Sequence, residues 1–177
     1  MLRSLAILVL LFAPSLALAK ARPDLDKDVE AATAQFKSEV KGGDEVLENA
    51  KGYLIFPEVT KAGIGIGGEY GKGALVVKGE IQQYYSTKSA SIGAQLGVET
   101  KAVLIAFMTE KALKDFENSD GWEVGVDGSI TIANVGADGS INTTMRSDKP
   151  MVAYVYGKKG LMADVSLSGS KFSKLEG

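Results

Sequence analysis

The sequence predicts an α+β, β-rich fold: an antiparallel sheet curled toward a barrel or sandwich, with an N-terminal amphipathic helix and one inserted helix. Three observations predict it. Leu25, Val29, Ala32, Phe36 and Val40 recur at spacings of three and four, which puts them on one stripe of a helix. From Tyr53 onward the period falls to two, the period of a strand. The segment TEKALKDFENSDG, from Thr109 to Gly121, then restores the helical period for about three turns.

The first element to justify is the leader. Arg3, an apolar run from Leu5 to Ala13, Pro14 and the triplet Ala17-Leu18-Ala19 have the form of a secretory signal peptide cleaved after Ala19. The run is too short for a membrane helix, which needs roughly 20 apolar residues. Residues 1–19 are therefore expected to be removed, residues 20–52 to form a helical segment, and residues 53–177 to form the β-rich unit packed with it. The expected location is periplasmic or secreted.

Within the helical segment, Pro23 suits a first turn, acidic residues lie early, and Gly42-Gly43 stops the helix. A shorter helix is expected from Asp44 toward Gly52. In the β region, SASIGAQLGV alternates Ala90, Ile92, Ala94, Leu96 and Val98 against Ser89, Ser91, Gly93, Gln95 and Gly97. WEVGVDGSITI alternates with Trp122, Val124, Val126, Ile130 and Ile132 on one face, and LMADVSLSG with Leu161, Ala163, Val165 and Leu167. The runs YLIF, ALVV, AVLIAFM and MVAYVY are continuously apolar and fit strands covered on both faces. Asp127-Gly128 and Asp138-Gly139 read as turns, and Lys158-Lys159 as a solvated turn. Thr109 is the expected N-cap of the inserted helix, with Ala112, Leu113 and Phe116 on its inner face.

Composition excludes several chemistries. The chain has 177 residues, no Cys and no His, which removes disulfides, thiolate nucleophiles, imidazole bases and the usual zinc sites. No catalytic residue, metal site or cofactor is expected. A net charge of −2 with mixed signs provides no field for a polyanion, so no nucleic acid is expected as a partner.

KAGIGIGGEYGKG, from Lys61 to Gly73, contains Gly63, Gly65 and Gly68 at the G-x-G-x-x-G spacing of a dinucleotide loop. Such a loop opens a helix, and the residues after Gly68 are too glycine-rich to do so. Gly63, Gly65 and Gly67 instead share one face of a strand whose other face carries Ile64 and Ile66. A bare face admits another backbone, a helix or a flat ligand, or permits a sharp bend. Gly71 and Gly73 are read as a turn into ALVV. Trp122 is expected in the core, and Tyr84 and Tyr85 on opposite faces, with one exposed.

The blocks AKGYLIFPEVTKAGIGIGGEYGKGALVV, YYSTKSASIGAQLGVETKAVLIAFMTEKALKDFENSDGWEVGVDGSI and GLMADVSLSGSKFSKL resemble the SYLF domain, also called the Ysc84 actin-binding domain, over roughly Ala50 to Leu175. The resemblance implies a non-enzymatic lipid-binding module. Eukaryotic relatives bind phosphoinositides and, in fungi, actin; bacterial members are mostly secreted or periplasmic. The expected partner is a lipid or membrane surface, or else an envelope protein. In eukaryotic relatives an amphipathic helix before the β region contributes to membrane contact. At the matching position here, Leu25, Val29 and Phe36 with Lys27, Lys37 and Lys41 are the candidate lipid contacts, and Gly63, Gly65 and Gly67 a candidate backbone-lined contact strand. The helix departs from a basic pattern, because Asp24, Asp26, Asp28, Glu30 and Glu39 balance Lys20, Arg22, Lys27, Lys37 and Lys41. Docking onto the sheet uses the same apolar face as lipid contact does.

Overall fold

The computed structural model describes residues 21–136, 138–141, 149–159 and 167–176. Helices α1 (Pro23–Glu39) and α2 (Gly43–Asn49) precede two very long strands, β1 (Gly52–Val77) and β2 (Glu80–Phe107). Helix α3 (Glu110–Glu117) follows, then β3 (Gly121–Glu123), β4 (Thr131–Asn134), β5 (Met151–Lys159) and β6 (Lys171–Lys174).

β1 and β2 form one antiparallel hairpin from Gly52↔Phe107 to Val77↔Glu80. Its turn is Lys78-Gly79, both residues at positive φ (52° and 77°), the two-residue form that matches the strands' own twist. β2 carries β6 beside residues 85–88 and β5 beside residues 100–107, and β3 and β4 extend the two sides. The result is a sheet curled through 213° into a half-barrel. It is mixed rather than wholly antiparallel, since β4 runs parallel to β5.

Alternation along these strands feeds two cores. Leu54, Phe56, Val103, Ile105, Phe107, Ala153 and Val155 face inward, where α3 supplies Leu113 and Phe116, and β3 and β6 supply Trp122 and Phe172. Ile55, Ala74, Val76, Leu104, Ala106, Val152, Tyr154 and Tyr156 face the other way, under α1. Continuous apolar runs in the sequence follow from this two-sided cover.

The inserted helix begins as expected: Ala112 N donates to Thr109 Oγ1 at 3.2 Å. α1 docks through Val29, Ala32, Phe36 and Val40, with the Phe36 ring set edge-on between Tyr154 and Tyr156 at 5.3 and 5.4 Å. Polar contacts fix its position. Tyr84 donates to Asp26 at 2.5 Å, Tyr156 donates to Ala32 O at 2.7 Å, and Lys41 N donates to Gly139 O at 2.9 Å. Gly139, at φ 81°, closes the expected Asp138-Gly139 turn.

Four expectations are corrected. Tyr84 and Tyr85 do take opposite faces, but both are buried, because each face of the sheet has its own core. WEVGVDGSITI is not one strand: β3 stops at Glu123, whose N–H donates to Asp127 Oδ2 at 2.6 Å, and this turn turns Val126 out to solvent. Gly71 and Gly73 lie inside β1 rather than in a turn, for a packing reason given below. Lys158 and Lys159 end β5 instead of forming a turn, because Thr100↔Lys159 continues the ladder. The alternation expected for Leu161 to Val165, and the side chains of residues 91–97, lie outside the described residues.

Candidate functional site

The middle of the β1/β2 hairpin is where the fold departs from its own pattern. β1 doubles back near residue 65, so its two halves lie against each other. A Cβ on Gly73 would stand 2.0 Å from Ile55 O, one on Gly71 2.8 Å from Glu58 O, and one on Gly63 2.5 Å from Gly67 Cα. Real Cβ atoms do not approach backbone that closely, so these glycines let the strand pack on its own return. The bare face of the glycine segment thus receives β1 itself. No helix opens after Gly68, which disposes of the dinucleotide loop.

At this bend the inward positions continue the inner core in phase, yet carry charge. Lys61 follows Val59, Glu69 precedes Gly71, and Glu99 and Lys101 precede Val103, each two residues apart along a strand. All four are buried. Lys101 Nζ lies 2.9 Å from Glu69 Oε1 and donates to it, while Lys61 Nζ stands 3.9 Å from the same oxygen. Glu99 is 1% exposed, and neither carboxylate oxygen has a hydrogen-bond partner. Its register partner across the hairpin is Lys61. Leaving a buried acceptor unpaired costs about 1–3 kcal/mol, more when it is charged.

The outward positions of the same bend are apolar. Ile66 is 77% exposed, Val98 63% and Tyr70 43%. Basic side chains flank them: Lys88 pairs in register with Tyr70 and holds Nζ 5.8 Å from its ring centroid, and Lys171 pairs with Lys88 on the next strand. Lys72 follows two residues after Tyr70 and is exposed. The arrangement is an apolar patch with a basic rim, outside a buried charge cluster.

The structure places the residues singled out from the sequence as follows. Val29 and Phe36 are buried under α1, and Leu25 is half-buried at the same interface. Lys27, Lys37 and Lys41 are exposed, with Lys37 3.9 Å from Asp44. They are thus separated from the apolar stripe they were grouped with. Gly63 and Gly67 meet at the bend; the surroundings of Gly65 lie outside the described residues. Sequence reading passed over Lys61, Glu69, Glu99 and Lys101. The signal that finds them is phase: Lys101, Val103, Ile105 and Phe107 form one alternating series, so Lys101 must point where the core points.

Two further hollows occur against α1. One, of about 830 Å³, lies between its C-terminal half and the 135–139 turn; the other, of about 500 Å³, lies between it and the hairpin turn. Neither gathers an unpartnered buried polar group among the described residues. Burial raises the phenol pKa of Tyr85, Tyr154, Tyr156 and Tyr84; for Tyr84 the hydrogen bond to Asp26 adds to burial.

A curled sheet with a helix sealed on one face and a surface patch at its bend defines a binding module. More particularly, residues 88–176, half of the chain, match the family described as Ysc84, Las17-binding protein actin regulator, and the chain belongs to that family, the SYLF domain. The family is one of binding domains, associated with lipid and actin. Comparison with curated proteins gives no match. Among the described residues no helix is long and apolar enough to cross a membrane.

Proposed function

We propose that this protein is a non-enzymatic, membrane-surface-binding SYLF module of the cell envelope, exported by its leader, and that it meets lipid through the bend of the β1/β2 hairpin. The observation that carries this reading is the exposure of Ile66, Val98 and Tyr70 beside Lys72, Lys88 and Lys171. Apolar side chains gain about 25 cal/mol per Å² on leaving water, and each nearby basic side chain adds about 1 kcal/mol at an anionic surface. The apolar stripe of α1 is already buried against the sheet, so lipid contact through Val29 and Phe36 requires undocking the helix.

The mature chain is expected to float with phosphatidylglycerol-containing vesicles at low salt. The I66D/V98D variant is expected to remain at the bottom of the gradient with an unchanged circular dichroism melt. Wild-type protein that floats with no bilayer, at low or high salt, contradicts the reading. It would then favour a protein-docking envelope module, the alternative supported by the family's description as a Las17-binding protein.

A further inference from the structure

We propose that the charged interior of the bend binds a zwitterionic ammonium–phosphodiester headgroup, with Glu99 taking the primary ammonium and Lys61 the phosphate. The proposal rests on the reading above that the bend meets a lipid surface.

The starting point is an imbalance. Lys61, Glu69, Glu99 and Lys101 sum to zero formal charge, but they do not pair off. Lys101 donates to Glu69 at 2.9 Å, so each member of that couple has a hydrogen-bond partner. Glu99 is left with two acceptor oxygens and no donor, and Lys61 with only a 3.9 Å contact to a carboxylate already engaged. Buried polar groups in folded proteins are almost always hydrogen-bonded, so an unpaired carboxylate in an interior marks a missing partner.

Charge and donor chemistry define that partner. The cluster is neutral, so a neutral ligand enters without leaving net charge in a low-dielectric interior. It must bring hydrogen-bond donors to Glu99 and acceptors to Lys61, which describes a zwitterion. An anionic headgroup satisfies Lys61 and leaves Glu99 unmatched. A metal ion lacks ligands, since no group of three acidic side chains suited to one occurs among the described residues. A quaternary ammonium has no N–H to donate; a primary ammonium has three.

The order of burial fits the same class. Lys61 and Glu69 are the shallower members, with side chains 9% and 7% exposed, while Glu99 and Lys101 are the deepest. In an ethanolamine phospholipid the ammonium is terminal and the phosphate lies nearer the glycerol. A headgroup entering ammonium first therefore brings its cation to the deep Glu99 and its phosphate to the shallower Lys61.

The test compares vesicles with a constant minority of phosphatidylglycerol and a remainder of either phosphatidylethanolamine or phosphatidylcholine. The mature chain is expected to bind the ethanolamine vesicles about tenfold more tightly or better, the worth of one charge-assisted hydrogen bond. E99Q, and separately K61M, should abolish that preference while still binding choline vesicles through the patch. A second arm follows the Glu99 carboxyl carbon by NMR on adding glycerophosphoethanolamine or glycerophosphocholine without vesicles, and then on adding each of the two vesicle types. A shift with the ethanolamine compound alone supports the site and shows that the free headgroup suffices; a shift only with ethanolamine vesicles supports it as a membrane-borne site. Equal wild-type binding to both vesicle types with no Glu99 shift overturns the proposal and leaves the membrane reading standing. Ethanolamine preference retained by folded E99Q also overturns it. Absence of all vesicle binding together with a glycerophosphoethanolamine shift sinks the membrane reading and keeps the site.

Discussion

The root and the bend of the β1/β2 hairpin obey one alternation with opposite contents. At the root, residues 52–56 and 102–107, both faces are covered: Phe56 and Phe107 point into the half-barrel, Ile55 and Leu104 toward α1. At the bend, the inward positions hold Lys61, Glu69, Glu99 and Lys101, and the outward ones Ile66, Tyr70 and Val98. A sheet selected only for stability would not put charge inside and large apolar groups outside, because each choice costs free energy. The contrast fits a root that serves stability and, on the proposed reading, a bend that serves recognition.

Removing the ring that seals α1 on the root, or one partner of the buried ion pair at the bend, should give the largest losses. Phe36→Ala removes a fully buried ring packed on Tyr154 and Tyr156 and is expected to cost about 3–5 kcal/mol in urea unfolding, without touching the bend. If α1 were loosely held, the loss would be far smaller. At the bend, Lys101→Met takes from Glu69 its hydrogen-bonded donor, leaving Lys61 at 3.9 Å, and is expected to cost about 3–5 kcal/mol, while K101M/E69L should recover much of it. A double variant no better than the single one would mean the pair is not an isolated couple.

Alkaline titration gives an intermediate effect. Burial holds the phenols of Tyr85, Tyr156 and Tyr154 above their ordinary pKa of 10.0, so they stay protonated in the fold while the unfolded chain releases protons. Their contribution is fully present below pH 10 and falls as pH rises through the folded values. The melting temperature should drop above that pH as the tyrosinate absorbance of the unfolded chain rises; ionisation of all six tyrosines in still-folded protein would show the buried rings to be accessible. The smallest stability effect belongs to Ile66→Asp, expected within about 0.5 kcal/mol because the residue is exposed, while its effect on vesicle binding is large.

Much of the fold was legible in the sequence because burial leaves a period. The α1 stripe, the doubly covered runs, the Thr109 cap and the Asp-Gly turns all follow from spacing or local chemistry. The length of the hairpin was not legible: its turn is Lys78-Gly79, which lacks the usual Asn-Gly or Asp-Gly signal, and its glycines look like punctuation. Gly71 and Gly73 are explained only by the return of residues 55–59, a contact across the bend that no local pattern encodes. For the same reason the charged interior was missed. Lys61, Glu69, Glu99 and Lys101 read singly as solvated side chains, and only the doubling of β1 brings them inside.

The lipid-facing role proposed for the bend, as against α1, is most directly tested with single cysteines, which the Cys-free chain makes unambiguous. An environment-sensitive fluorophore at I66C is expected to shift to the blue and gain intensity on phosphatidylglycerol-containing vesicles, while the same probe at K27C on α1 stays unchanged. A response at residue 27 with none at residue 66 would contradict the assignment and return the membrane contact to the helix.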